Sequence, residues 1–480
     1  MAGKPLRDMV IVLPGITGSV LQKDGKDVWA ISRQATSQWL STLGGSLHNL
    51  RLDTKDAGSI VATRVMHDAH IVPGLVKVDG YSAIAQMVTG TFNVVAGSIH
   101  THQPANFIEF PYDWRLDNRV SARELAGFIA TRLQLWRNYS HNPTAKVIFL
   151  AHSMGGLIAR HYLEVLEGWR DCRALITFGT PYRGSPNALN FLANGYKRLF
   201  VDLTEVMRSF PSIYQLLPIY RALRVGPDYV RLTEANGIPK VDPARVADAL
   251  AFHQEIEAKV AQHQGDAEYL TKGYVVMPIV GTRQPTMQSA VLTDGLLTGS
   301  RELPGWIDPL LNDGDGTVPR LSATPIELSE AYRDSFAPER HGWLQRNRSI
   351  LHDVRGRLEQ MQVKGLSAIR APEESPTAAE RPALALDLDD YYASGEPITM
   401  RASLINAQES ETSLQARVEP VGTAAVSPAQ MLQFGPCSGG WTLELDGLPP
   451  GLYRIEVRTM KSGPLKPPPV HDLFEIGGTT

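Results

Sequence analysis

Val147-Ile-Phe-Leu-Ala-His-Ser-Met-Gly-Gly-Leu-Ile-Ala-Arg-His-Tyr-Leu-Glu164 is the stretch that decides the architecture. Its first four residues are apolar and rich in strand-formers, and they read as a buried strand ending at Leu150. From Gly155 onward the residues suit a helix. Between the two lies Ala151-His152-Ser153-Met154-Gly155. A strand that turns sharply into a helix crowds the positions two before and two after a central serine, so small residues are required there. Gly155 meets that need, and Ala151 stands where glycine is usual, adding one methyl group. The context predicts that Ser153 is held out on a strand–turn–helix elbow as a nucleophile.

Working outward, apolar runs alternate with helical patterns over the first ~370 residues, which predicts a mainly parallel sheet. The expected strands are Met9–Leu13, Phe107–Phe110, Val147–Leu150, Leu175–Phe178 and Tyr274–Val280, the last weakened by Pro278. Ser121-Ala-Arg-Glu124 reads as a capping box before a helix. An insert at about 185–272 is dense in bulky apolar residues, from Leu189 and Phe191 through Tyr196, Leu199 and Phe200 to Phe210 and Leu217. It reads as mostly helical, broken at Pro211 and Pro218, and as a cap or lid. Its residues suit an acyl groove and an ordinary core equally well. Residues 370–382 have linker composition. Beyond them, Trp441, Leu443 and Leu445 alternate with polar residues, as do Tyr453, Ile455 and Val457. Residues 383–480 therefore read as a small all-β, sandwich-like domain.

A serine hydroxyl is a weak nucleophile and needs a base, which in turn needs an orienting acid. In a chain of this pattern the order is Ser, Asp or Glu, His. Asp315, in Asn312-Asp-Gly-Asp-Gly-Thr-Val-Pro319, is the preferred acid over Asp313, which suits a turn or cap. His341 precedes a helical pattern and is the preferred base over His352, which falls inside that helix. The oxyanion formed in acyl transfer needs two backbone donors. Met154 follows the nucleophile, and Ile16 lies in Pro14-Gly15-Ile16-Thr17-Gly18-Ser19, where Gly15 lets the backbone come close. That loop lacks the spacing of a phosphate cradle. His152 is expected to point away from the reacting face and to serve packing or hydrogen bonding.

The 480 residues carry 47 basic and 50 acidic side chains, a net charge of −3, and give no field for nucleic acid. The two cysteines, Cys172 and Cys437, fall in different expected domains and form no disulfide framework. The histidines lack metal-ligand spacing, so neither metal nor cofactor is expected. Met1 to Asp8 leads straight into an apolar strand too short for a signal-peptide core, and no run approaches the ~20 apolar residues that span a bilayer. The expectation is a cytoplasmic protein that meets a membrane surface only transiently.

Six stretches in the same order resemble the lecithin:cholesterol acyltransferase family, with its phospholipid:diacylglycerol acyltransferase and lysosomal phospholipase relatives. They are Val12-Leu-Pro-Gly-Ile-Thr-Gly-Ser19, Phe110-Pro-Tyr-Asp-Trp-Arg115, Ala151-His-Ser-Met-Gly-Gly156, Phe178-Gly-Thr-Pro-Tyr-Arg-Gly-Ser185, Gln215-Leu-Leu-Pro218 and Gly314-Asp-Gly-Thr-Val-Pro319. The resemblance implies an α/β-hydrolase sheet, a triad of Ser153, Asp315 and His341, donors near Ile16 and Met154, and lipid-ester substrates in acyl transfer or phospholipase action. Ala151 departs from the pattern, as does the absence of a secretory signal and paired cysteines. Residues beyond Arg381 lie outside the resemblance. A short-chain esterase or thioesterase, and a catalytically silent binding or scaffold protein, are the alternatives.

Overall fold

The computed structural model describes residues 3–30, 50–52, 59–195, 203–328, 335–364, 382–406, 413–421, 428–460 and 466–478. Residues 370–381 of the linker expected at 370–382, and Tyr196, Leu199 and Phe200 of the insert, lie outside the described residues.

Seven strands form the main sheet, in the spatial order Phe336–Ala337, Val275–Gly281, Cys172–Phe178, Val147–His152, Met9–Leu13, Phe107–Glu109 and Ala96–Gly97. Every neighbouring pair is parallel. Helices cover such a sheet on its faces, so its central strands are buried throughout. All five residues of Met9–Leu13 and all six of Val147–His152 are buried. Each wholly buried Val, Leu or Ile contributes about 1.5–3 kcal/mol, which holds this pair firmly. Pro278 is tolerated within Val275–Gly281.

The helix expected behind Ser121 begins earlier. It runs Asn118–Tyr139, and Asp117 caps it by accepting from the Arg119 amide. Ser121 is buried in the first turn, so the capping box read at Ser121–Glu124 is not the start. Aspartate is as good a cap as serine, and the tie of the Asn118 amide to Gln215 Oε1 at 2.9 Å fixes the true entry point.

Between Phe178 and Val275 the chain forms helices at Pro186–Asn194, Leu203–Met207, Pro211–Tyr214, Pro243–His263 and Ala267–Lys272. Pro211 opens a helix at its first position, where its missing N–H costs nothing, instead of breaking one. The segment is not helical throughout. Leu223–Val225 and Asp228–Val230 form a hairpin, which joins Ser289–Thr293 and Leu296–Ser300 in a four-stranded sheet reaching past residue 272. Leu189, Phe191, Phe210, Ile213 and Leu217 are buried in the same apolar cluster as the main sheet. For these residues the core reading holds over the groove reading.

After residue 382 a four-stranded and a five-stranded sheet enclose a separate apolar core. Leu443, Leu445, Tyr453, Ile455 and Val457 point into it, following the alternation of the sequence. A small third cluster of Ala69, Ile71, Leu452 and Leu473 joins these strands to the main body.

Candidate active site

Ser153 ends the Val147–His152 strand and starts the Met154–Glu164 helix, with φ 52° and ψ −125°. Positive φ at a residue with a side chain is strained, and the surroundings enforce it. The Ser153 amide donates to the Phe178 carbonyl at 2.9 Å, and the Thr180 hydroxyl donates to the Ser153 carbonyl at 2.9 Å. The elbow is thus clamped by the neighbouring strand's Phe178-Gly-Thr stretch.

His341 and Asp315 arrive from two other loops. His341 Nε2 lies 3.0 Å from Ser153 Oγ, and its Nδ1 lies 2.8 Å from Asp315 Oδ2. With the proton on Nδ1, the ring donates to Asp315 and accepts from the serine hydroxyl. The other carboxylate oxygen of Asp315 accepts from the amides of Thr317 at 2.9 Å and Val318 at 2.7 Å. The His341 amide donates to the Asp315 carbonyl at 2.9 Å, which joins the two loops. His341 opens a short 3-10 turn ahead of the helix Arg348–Lys364, while His352 sits within that helix, on the exposed side. Asp313 is turned toward Arg283 and Arg320, 3.8 and 3.9 Å away, and takes no part. Gly179, with φ 59°, is required where the three loops converge: a Cβ there would stand 2.8 Å from both Asp315 Oδ2 and His341 Nδ1.

The loop bearing Ile16 comes equally close. A Cβ on Gly15 would lie 2.9 Å from Ser153 Cβ and 2.9 Å from His152 Nδ1. The Gly15 amide is taken, donating to the Tyr81 hydroxyl at 2.7 Å. Among the described residues the amides of Ile16 and Met154 donate to no protein group, and Met154 adds the positive end of its helix.

His152 serves hydrogen bonding as expected, but its direction differs. Its ring does not point away: its centroid is 4.9 Å from that of His341. Tyr81 donates to His152 Nδ1 at 2.9 Å, and Nε2–H of His152 donates to the His341 carbonyl at 3.1 Å. The run Gly15–Tyr81–His152–His341 therefore ties the Ile16 loop to the base loop. Burial, with the His341 ring as second cause, holds the His152 pKa well below the ordinary value, so this ring stays neutral. Tyr81 carries no motif in the sequence, and only the fold reveals it.

The Pro-Tyr-Asp-Trp-Arg stretch is a brace. The Tyr112 hydroxyl donates to the Pro14 carbonyl at 2.9 Å, and the Trp114 indole donates to the Ser19 carbonyl at 3.1 Å. Arg115, wholly buried, pairs with Asp113 through Nε at 2.9 Å and through a second guanidinium nitrogen. These bonds grip both ends of the Pro14–Ser19 loop. Ser185 reaches the Thr317 carbonyl and so supports the acid loop. The separate motifs converge on one site.

That site is nearly shut: Ser153 is 5% exposed, His341 2% and Asp315 1%. Water is largely kept from the serine, which strengthens each electrostatic contact there. Among the described residues no cluster of His, Cys, Asp or Glu is placed to hold a metal ion, and no helix is long and apolar enough to cross a membrane.

A parallel sheet with a serine elbow at the end of a central strand is the α/β-hydrolase arrangement. The resemblance carried by the motifs also holds in whole-sequence comparison. The family model for Lecithin:cholesterol acyltransferase matches residues 76–261. Lecithin-cholesterol acyltransferase-like 4 of Arabidopsis thaliana is 21% identical over 425 residues, which is 72% of this chain and 74% of the relative. Among solved structures, a Bacillus licheniformis lipase in its propeptide form is 10% identical over 99% of this chain and 95% of its own, with a TM-score of 0.31. The CARDB domain of a Pyrococcus furiosus protein is 13% identical over 22% of this chain and 98% of its own, with a TM-score of 0.15. Overlays this loose carry no argument, and the fold assignment rests on the sheet and its elbow. The family likeness supports an acyltransferase or ester hydrolase.

Proposed function

We propose that the protein transfers acyl groups from lipid esters through an acyl-serine intermediate. The observation that supports this most directly is the line Ser153–His341–Asp315, with gaps of 3.0 and 2.8 Å. His341 takes the Ser153 proton as Oγ attacks the ester carbonyl. Asp315 holds the ring and balances its positive form. The Ile16 and Met154 amides receive the oxyanion. His341 then returns the proton to the leaving alcohol. Water or a second alcohol resolves the acyl-enzyme, making the protein a lipase or phospholipase in the first case and an O-acyltransferase in the second.

The family likeness favours lipid esters over short-chain esters or thioesters, and an aligned triad favours catalysis over a silent scaffold. We place the activity in residues 1–369 and assign the strands beyond 382 to a separate domain, in a cytoplasmic protein that meets lipid surfaces transiently. A fluorophosphonate probe is expected to label Ser153 and to leave Ser153→Ala unlabelled. An unlabelled native protein, or labelling that survives the substitution, overturns the reading. A panel of lipid esters with and without alcohol acceptors, read by product mass, then separates hydrolysis from transfer.

A further inference from the structure

From Ala337 to Arg348 the chain has no regular element except the 3-10 turn His341–Trp343. Neither sheet register nor a long helix fixes the direction in which His341 points. Asp315 and His152 hold it from the main body, and a second set of side-chain bonds reaches its neighbours from the second domain. Glu339 is buried, and one of its oxygens accepts from His471 Nδ1 at 3.0 Å. The other oxygen accepts from the His471 amide at 3.2 Å and the Arg340 amide at 3.0 Å. Arg340 Nε meets Asp472 Oδ2 at 2.8 Å, and its guanidinium also donates to the Leu386 carbonyl. On the other side of His341, the Trp343 ring lies flat on His471, centroids 4.2 Å apart and planes 2° from parallel.

The acid loop is gripped from the same direction. Gln284 donates through its side-chain amide to the Leu384 carbonyl at 2.9 Å and accepts from the Leu386 amide at 3.2 Å. The Gln284 backbone amide donates to the Gly314 carbonyl at 3.0 Å, one residue before Asp315.

We propose that the C-terminal β domain is a positioning device for the base: His471 and Asp472, on the strand Val470–Ile476, hold Glu339 and Arg340 and so aim His341 at Ser153. This rests on the triad reading given above. A catalytic group must be held to within about 0.5 Å of its productive place, and about 1 Å of drift costs on the order of a hundredfold in rate. Residues on both sides of His341 are tied to the β domain, so loss of those ties loosens the setting of the ring while the elbow stays intact. His471 and Asp472 touch no reacting atom and are positioning residues.

The test compares full-length variants by the second-order rate of fluorophosphonate labelling and by kcat and KM on a p-nitrophenyl ester. His471→Phe keeps an aromatic ring over Trp343 and removes the donor to Glu339. Asp472→Ala removes the ion pair to Arg340 and leaves its bond to the Leu386 carbonyl. His471→Asn keeps an N–H near the Nδ1 position. Arg301→Ala breaks an exposed ion pair to Asp387 elsewhere on the same interface, where the two lie 2.9 Å apart. His471→Phe and Asp472→Ala are expected to label about tenfold slower or more, with kcat reduced and KM unchanged. His471→Asn is expected to regain much of the rate, and Arg301→Ala to match native protein. Native-rate labelling by folded His471→Phe overturns the inference, as does equal slowing by Arg301→Ala. If Asp472→Ala does not fold, His471→Phe decides alone. A native protein that takes no label overturns the triad itself, which is a distinct result from native and variant labelling alike.

Discussion

The elbow around Ser153 and the turn around His341 meet across 3.0 Å, yet different forces hold them. The elbow closes a strand whose six residues are all buried and which pairs with a parallel neighbour on each side. Its place is set by backbone register and apolar burial, neither of which depends on charge. The His341 turn has no such frame. Its place is set by ion pairs and hydrogen bonds, many reaching across to another domain. Ser153 is therefore fixed by buried backbone register, and His341 by polar contacts that single substitutions can weaken.

The largest effect should come at the junction of the two regions. His341→Ala is expected to lower turnover by on the order of a thousandfold or more, while His352→Ala leaves it near the native level. Equal loss in two folded variants, measured as kcat on any accepted ester, would break the assignment of the base.

Within the elbow region, Gly15→Ala sharpens the contrast. The added methyl group has to share space with Ser153 Cβ and His152 Nδ1, each 2.9 Å away. The loop must shift and carry Ile16 with it. A fall of about a hundredfold in kcat is expected, the usual magnitude for losing one oxyanion donor. If kcat is unchanged, Ile16 is not a donor.

Acid should act on the molecule through its buried histidine rings. Burial lowers the pKa of His70 and of His253 to about 4, and that of His152 well below the ordinary value. Above pH 6.5 the stability from burying these neutral rings is fully present. Below it the unfolded chain gains protons that the folded chain refuses, so stability falls as pH drops toward 4. Each ring contributes a slope of at most about 1.4 kcal/mol per pH unit. His67, paired with Glu109, and Glu475, pushed up to about 8 by burial, act in the opposite direction over the same range, so the net slope is smaller than the three rings alone would give. Urea midpoints at pH 7, 6 and 5 test this, and a flat series contradicts it.

That Ser153, Asp315 and His341 come together was legible in the sequence because the signal for each is local. Ser153 announces itself through the strand before it and the small residues around it. Asp315 and His341 follow from chain order and from the loops they occupy. The five expected strands of the main sheet also emerge, each within a few residues of its bounds. What stayed hidden depends on long-range contact. Tyr81 meets Gly15 from 66 residues away, and His471 meets Glu339 from 132. Neither has a spacing to betray it. The hydrogen-bonding role expected of His152 holds, but its direction differs for the same reason: it depends on Tyr81 and on the His341 carbonyl, not on its neighbours in the chain. The hairpin Leu223–Val230 was missed because its pairing partner, Ser289–Thr293, lies beyond the segment that was read as one helical insert.

Ser153 itself has a consequence for the molecule's durability. Its φ of 52° and ψ of −125° fall where glycine alone is at ease. Strain of this kind costs on the order of 1–3 kcal/mol, and glycine's greater freedom in the unfolded chain returns about 0.5–1 kcal/mol of that. Ser153→Gly should therefore melt higher than the native protein by the equivalent of about 1 kcal/mol while turning over nothing, which thermal unfolding of the two proteins side by side would show; a lower melting point would mean that the elbow is unstrained. Selection for endurance alone would discard this serine, which accords with the nucleophile's part proposed for it.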